Sequence, residues 1–348
     1  MKFGLHYQLP CAEFQSPVQR YRDTLEQAAH AEMLGFESVW PVEQHFDPQL
    51  SILPAPLLLL AALAQRSRKL RLGTAIVLLP LSHPLRVAEE IATLDVLSNG
   101  RVEFGVGRGS LPEHFKGFGV QQSESRERFL EALEVIRQAW TGEHVSYRGR
   151  FYQIENVAVV PQPVQKPYPP IRVAANSPET FELMGQLGLP IFVASQVNPL
   201  PRIGQYLAVY RAALAAAGYR DNEPEDVTVL MPTYVGETRA QVRNEMEPSL
   251  RRWLRVVTAR YQNPHSGAPS MRERFERVRS MTYEQASEVM GVFDTPEASV
   301  ERLSRLREEF KMGRLICWFN QGGLVPHLQV MRAMELFAAK VMPHLNSD

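Results

Sequence analysis

Leu70–Gly109 reads LRLGTAIVLLPLSHPLRVAEEIATLDVLSNGRVEFGVGRG, and its pattern is strand, irregular turn, helix, turn, strand. Leu70, Leu72, Ala75, Ile76 and Val77 form a short apolar run of the length of a buried strand. Pro84 suits the first turn of a helix, where its missing N–H would be unpaired anyway. Val87, Ile91, Leu94 and Leu97 then recur at helical spacing. Asn99-Gly100 predicts a left-handed stop. Val102, Phe104 and Val106 alternate as a second strand that ends on Gly107-Arg108-Gly109. Strand, helix and strand joined tightly imply parallel strands, so a β/α layer repeats here. An arginine between two glycines at the carboxyl end of a strand is suited to clamp an anion. Glycine lets a ligand approach the backbone, and guanidinium matches phosphate bidentately.

The same rhythm extends in both directions. Strands are expected at Lys2–Gln8, Phe36–Trp40, Ile171–Ala175, Ile191–Ala194, Val227–Val235 and Arg314–Trp318, with helices between them. Ser177 is a candidate helix N-cap, followed by Pro178 in the first helical position. Eight strands alternating with helices predict a (β/α)8 TIM barrel, a fold of about 250 residues in its minimal form. The extra length is assigned to two insertions, a hairpin near 145–159 and a lid segment near 260–295, within a single domain spanning residues 1–348. An open doubly wound sheet is the rival topology. It would carry a G-x-G-x-x-G turn after the first strand, where this chain has Leu9-Pro10-Cys11.

Composition bounds the function. The 348 residues are 45% hydrophobic with zero formal net charge and no basic block. Nucleic acid and anionic membranes are therefore not expected as partners. No apolar run approaches the roughly 18 residues of a membrane helix, and the first strand does not read as a signal peptide. Cys11 and Cys317 suggest neither a disulfide framework nor a metal site. The expectation is a cytoplasmic protein without a metal.

In a barrel, ligands bind where the strands end. That rule gathers Glu43 to His45, Ala75-Ile76, Arg108, and Asn176 with Ser177. The mixture suits a large planar cofactor with a single phosphate better than a hydrolytic triad. Each group also has a plainer reading. Arg108 is equally an ion-pair residue, Ser177 and Thr180 a helix cap, Glu43 and His45 a structural pair, and Tyr147–Tyr152 an edge hairpin.

Four stretches and the chain's closing part together resemble the bacterial luciferase-like flavin monooxygenases almost end to end. They are MKFGL, LGFESVWPVEQHF, the Leu72–Gly109 part of the opening stretch, VAANSPETFELMGQLGLP, and the closing NQGG and LFAAKVMPHL. The resemblance implies a TIM barrel, a homodimer, and reduced FMN (FMNH2) supplied by a separate reductase. Some relatives use the deazaflavin F420 instead. It also assigns roles. Arg108 matches the residue that holds the flavin phosphate, and Asn176, Ser177 and Thr180 complete that corner. Ala75-Ile76 falls where a non-proline cis peptide lies beneath the flavin ring. Glu43 matches an acidic residue at the flavin's edge, and Asn263–Thr282 coincides with a mobile lid.

The catalytic set this implies is Glu43, Gln44 and His45. The luciferase catalytic subunit has two adjacent histidines where this chain has Gln44-His45, and Gly107 stands at its reactive cysteine. Efficient light emission is therefore not expected. The leading expectation is oxygenation of a small hydrophobic substrate by O2 through a flavin C4a-hydroperoxide, with His45 managing the proton. Tyr7, Phe46, Phe115, Trp318 and Phe319 are candidates for the substrate pocket. The alternatives are F420-dependent hydride transfer and a flavin-binding subunit without catalysis.

Overall fold

Pro17, Pro56, Pro84, Pro178 and Pro296 each occupy the first turn of a helix, where no N–H is required of them. A computed structural model of the chain describes residues 1–219, 227–259 and 278–346. In chain order the elements begin β1 (Lys2–Tyr7), α1 (Pro17–Leu34), β2 (Ser38–Pro41), α2 (Pro56–Arg66), β3 (Arg71–Gly73) and β4 (Val77–Leu78). Next are α3 (Pro84–Ser98), β5 (Val102–Gly107), α4 (Pro112–Gly117), α5 (Ser125–Thr141), β6 (Val145–Arg148), β7 (Gln153–Val157) and β8 (Ile171–Ala174). The chain continues with α6 (Pro178–Gln186), β9 (Ile191–Ala194), α7 (Leu200–Ala216), β10 (Val227–Val235), α8 (Arg239–Ala259) and α9 (Tyr283–Met290). It closes with β11 (Val292–Asp294), α10 (Pro296–Phe310), β12 (Arg314–Trp318), α11 (His327–Lys340) and α12 (Met342–Leu345).

The chain divides into two compact units. One comprises Met1–Ser38, Asp47–Ile52 and Ala175–Asp348; the other comprises Val39–Phe46 and Leu53–Ala174. Within the first, the strand order is β9–β10–β12–β1, all parallel, with β11 added on β10. Its core includes Phe3 and Phe319 set edge-on against Phe337 at 5.7 Å each. Within the second, the order is β2–β3–β5–β8, and β4 also pairs with β5. Its core includes Phe104 edge-on to Trp140 at 5.5 Å, whose indole N–H donates to the Ala88 carbonyl at 3.1 Å. Each unit thus carries four of the parallel strands alternating with helices, as a (β/α)8 chain requires. The rival doubly wound reading falls away.

The predicted helix at Pro84 begins at that proline and stops at Asn99 and Gly100, both left-handed. The hairpin is antiparallel β6–β7, tied to α5 by the Glu131 carboxylate, which accepts from the Arg150 and Phe151 backbone N–H groups at 2.9 and 3.0 Å. That leaves the plainer edge-hairpin reading in force. One expectation needs correction. The apolar run from Leu70 to Val77 is two short strands, β3 and β4, and the chain leaves the ladder at Thr74–Ile76. There the Thr74 hydroxyl donates to the Gly105 carbonyl at 2.7 Å, and a Cβ at Gly105 would run into the Thr74 carbonyl oxygen. Most of the expected lid, residues 263–277, lies outside the described residues; α9, with a Thr282 capping box, follows it.

Candidate active site

The interruption between β3 and β4 carries the first part of the site. The Ala75–Ile76 peptide is cis, as the resemblance implied. The Ala75 N–H donates to the Pro41 carbonyl at 2.9 Å, fixing this segment to the end of β2. From there β4 runs parallel to β5, Val77 opposite Val106 and Leu78 opposite Gly107. Gly107 is a close-approach position, since a Cβ there would collide with the Ile76 side chain. Arg108 follows immediately, half-buried at the carboxyl end of β5, and Gly109 takes a left-handed φ of 75°.

The segment after β2 carries the second part. Glu43 divides its carboxylate. Oε1 meets His45 Nε2 at 2.9 Å, and Oε2 accepts the Leu78 N–H at 3.0 Å. Glu43 therefore ties His45 to the strand that follows Ala75-Ile76. With Nε2 donating to this carboxylate, the proton-accepting atom of a neutral His45 is Nδ1. Gln44 is buried and turns to His114, its Nε2 lying 2.9 Å from His114 Nε2. The His45 N–H points at the same His114 nitrogen at 3.3 Å. His45 packs edge-on against Phe118 at 4.8 Å. Glu43 and His45 also line a cleft of about 820 Å³ bordered by α2 and α3.

Asn176, Ser177 and Thr180 belong to the other unit. Ser177 has the extended backbone of an N-cap, but its side chain makes no cap hydrogen bond; its hydroxyl pairs with that of Thr180 at 3.2 Å. Asn176 is exposed, and its carbonyl accepts from Asn198 Nδ2 at 3.0 Å. The start of α6 thus offers two hydroxyls beside the positive end of its dipole, which suits a phosphate. Within one unit, the glycine-flanked Arg108 and the close approach of Gly107 to Ile76 suit a planar cofactor with a phosphate, such as flavin mononucleotide.

Of the residues considered for substrate, Tyr7, Phe115, Trp318 and Phe319 are all buried as core. Phe46 is the reverse, 63% exposed with a left-handed φ of 58°. His114 and Phe118 were not foreseen. Their only signal was a histidine and a phenylalanine in a loop rich in glycine and proline, and nothing local links either to Gln44-His45.

A family profile described as luciferase-like monooxygenase matches residues 1–304. The chain belongs to the luciferase-like monooxygenase family. A relative within it, the oxygenase component of a flavin-dependent trigonelline monooxygenase from Acinetobacter baylyi, is 31% identical over 71% of this chain and 69% of its own length. The crystal structure of monooxygenase RslO1 from Streptomyces bottropensis superposes with a TM-score of 0.84 at 29% identity, covering 99% of this chain and all of that one. Two structures share the fold at lower identity. The oxygenating constituent of 3,6-diketocamphane monooxygenase from Pseudomonas putida, a type II Baeyer-Villiger enzyme in complex with FMN, gives 0.83 at 19%, covering 99% and 98% of the two chains. An F420-dependent secondary alcohol dehydrogenase gives 0.78 at 18%, covering 99% of each. The luciferase-like chain is therefore a TIM barrel of a flavin-dependent monooxygenase family. Among its described residues no helix is long and apolar enough to cross a membrane.

Proposed function

We propose that this chain is the oxygenase of a two-component, cytoplasmic flavin monooxygenase that uses reduced FMN and O2 on a small hydrophobic organic substrate. The observation that carries this reading is the β4–β5 pairing. It sets Ala75-Ile76, the segment expected under a flavin ring, directly before the strand that runs beside β5, and β5 ends just before Arg108, the cation expected on a flavin phosphate. Reduced FMN, delivered by a separate reductase, supplies the two electrons that let O2 give one oxygen atom to the substrate and the other to water. Arg108 binds the phosphate, and Asn176, Ser177 and Thr180 offer it hydrogen bonds at the start of α6. Glu43 orients His45, and His45 moves the proton at Nδ1, a role suited to an imidazole near neutral pH. Gln44 cannot take a proton and serves as a hydrogen-bonding support.

The working unit is proposed as a homodimer. Leu58 on α2 and Leu97 on α3 are exposed beside the ion pair of Arg86 with Glu90 at 2.8 Å. Apolar groups next to charges of both signs can complement their own copy across a two-fold axis. Sedimentation equilibrium should give twice the chain mass, and a monomer at working concentration would remove this part.

The deciding experiment is anaerobic. The protein is titrated with reduced FMN and, separately, with reduced F420. Tighter binding of reduced FMN is expected; preference for F420 would overturn the oxygenase reading in favour of hydride transfer. Candidate substrates are then turned over under isotopically labelled O2, with label expected in the product.

A further inference from the structure

His114 has a geometry that fixes its chemistry. Two N–H groups converge on one of its ring nitrogens, Nε2: the Gln44 side-chain amide at 2.9 Å and the His45 backbone at 3.3 Å. A side-chain amide can be turned end for end, but a backbone N–H cannot. The His45 N–H therefore requires Nε2 to be an acceptor, and that in turn makes Gln44 the donor. An imidazole whose Nε2 accepts is neutral and carries its proton on Nδ1.

The surroundings hold this arrangement. His114 is 3% exposed, on α4. The rings of His45 and His114 meet edge-on at 5.4 Å, and Phe46 lies 5.3 Å from Phe118, the residue that caps α4. A Cβ at Gly117 would strike the Phe46 ring, so α4 and the segment after β2 are closely fitted. From the other side, Glu43 fastens His45 to Leu78.

Building on the function proposed above, we propose that His114 is the positioning residue of the Glu43–His45 segment. As the neutral Nδ1–H form, it grips the Gln44 side chain and the His45 backbone through one nitrogen. This sets the His45 ring so that its Nε2 meets Glu43 and its Nδ1 is left for proton transfer. The imidazole that luciferases carry at the position of Gln44 is thus offset here by one supplied from α4, used for support.

The test needs no substrate and no flavin, so its failure is separable from failure of the monooxygenase reading. In protein labelled with 15N-histidine, the ring-nitrogen spectrum at neutral pH is expected to show His114 as the Nδ1–H tautomer. A protonated Nε2 at His114 would overturn the proposal, whatever the variants do. The second readout is the hydrogen-bonded Nε2–H proton of His45. It should persist in His114→Gln, whose side-chain oxygen can accept in place of Nε2. It should be lost in His114→Phe, which keeps the ring's bulk but accepts nothing. Persistence of that resonance in folded His114→Phe would show that His114 merely fills space, and would also overturn the proposal.

Discussion

Arg108 shows how far a single residue can be argued. Its value rests on position: half-buried, flanked by Gly107 and Gly109, at the end of a strand whose neighbour β4 directly follows Ala75-Ile76. A charge-assisted hydrogen bond contributes about 1.5–3 kcal/mol. Arg108→Ala should therefore weaken reduced-FMN binding by about 10- to 150-fold. Arg108→Lys should recover only part of the loss, because an ammonium lacks the planar fork. Titration of the purified variants checks this, and unchanged affinity in the alanine variant would remove Arg108 from the phosphate role. The places of this residue and Glu43 after strand ends were legible because local sequence marks them, one by glycines and the other by the close of an apolar strand. His114 was not. Its partners are some seventy positions away, at |i−j| of 70 and 69, and no local spacing announces a contact of that range.

At the scale of elements, the joints between β/α repeats depend on few groups. Arg101, just before β5, serves the end of α2 and the loop after it. It donates to the carbonyls of Ala64, Ser67 and Leu70 at 2.9, 3.1 and 2.7 Å, and to that of Ser98 at 2.7 Å. The last carbonyls of a helix have no partner within it, so one guanidinium closes two helix ends at once. Arg101→Ala should cost about 2–4 kcal/mol, the sum expected when several part-buried acceptors lose a charged donor. The measurement is urea unfolding. The midpoint should fall with an unchanged slope, and an unaltered midpoint would show that water replaces the arginine without cost. Helix starts and stops were readable where one residue dictates backbone conformation, as at Pro84 and Asn99. The division of β3 from β4 was not readable, because it depends on Thr74 reaching Gly105 across the sheet, and an apolar run alone looks continuous.

Considered as a whole, the molecule should respond to alkali through three buried phenols. Burial pushes the pKa values of Tyr7, Tyr234 and Tyr283 upward, with Glu245 adding to the effect at Tyr234 through a 2.6 Å hydrogen bond. The unfolded chain releases these protons near pH 10, whereas the folded chain retains them. Above that pH the unfolded state binds fewer protons, so stability falls as pH rises. Below it, this contribution is constant. Tyrosinate absorbance and circular dichroism should show these phenols ionising only together with unfolding, and Tyr7→Phe should move the alkaline transition to higher pH. Ionisation of every tyrosine near pH 10 in a folded chain would contradict this. The fold class was legible at this scale because the β/α period repeats along the whole sequence. The expected lid is a polar interruption of that period, and residues 260–277 of it lie outside the described residues.

The stop of α3 also bears on how the chain ages. Asn-Gly is the pair most prone to lose its side-chain amide, because the glycine nitrogen attacks the asparagine carboxamide to close a succinimide ring. Here the Gly100 N–H is held by the Asp95 carbonyl at 2.9 Å, and Asn99 is locked in a left-handed turn. The nucleophile is engaged and its trajectory is fixed by the helix that the turn terminates. The bond that ends a helix therefore doubles as a preservative, and spontaneous deamidation at Asn99 becomes a record of how often this joint has opened.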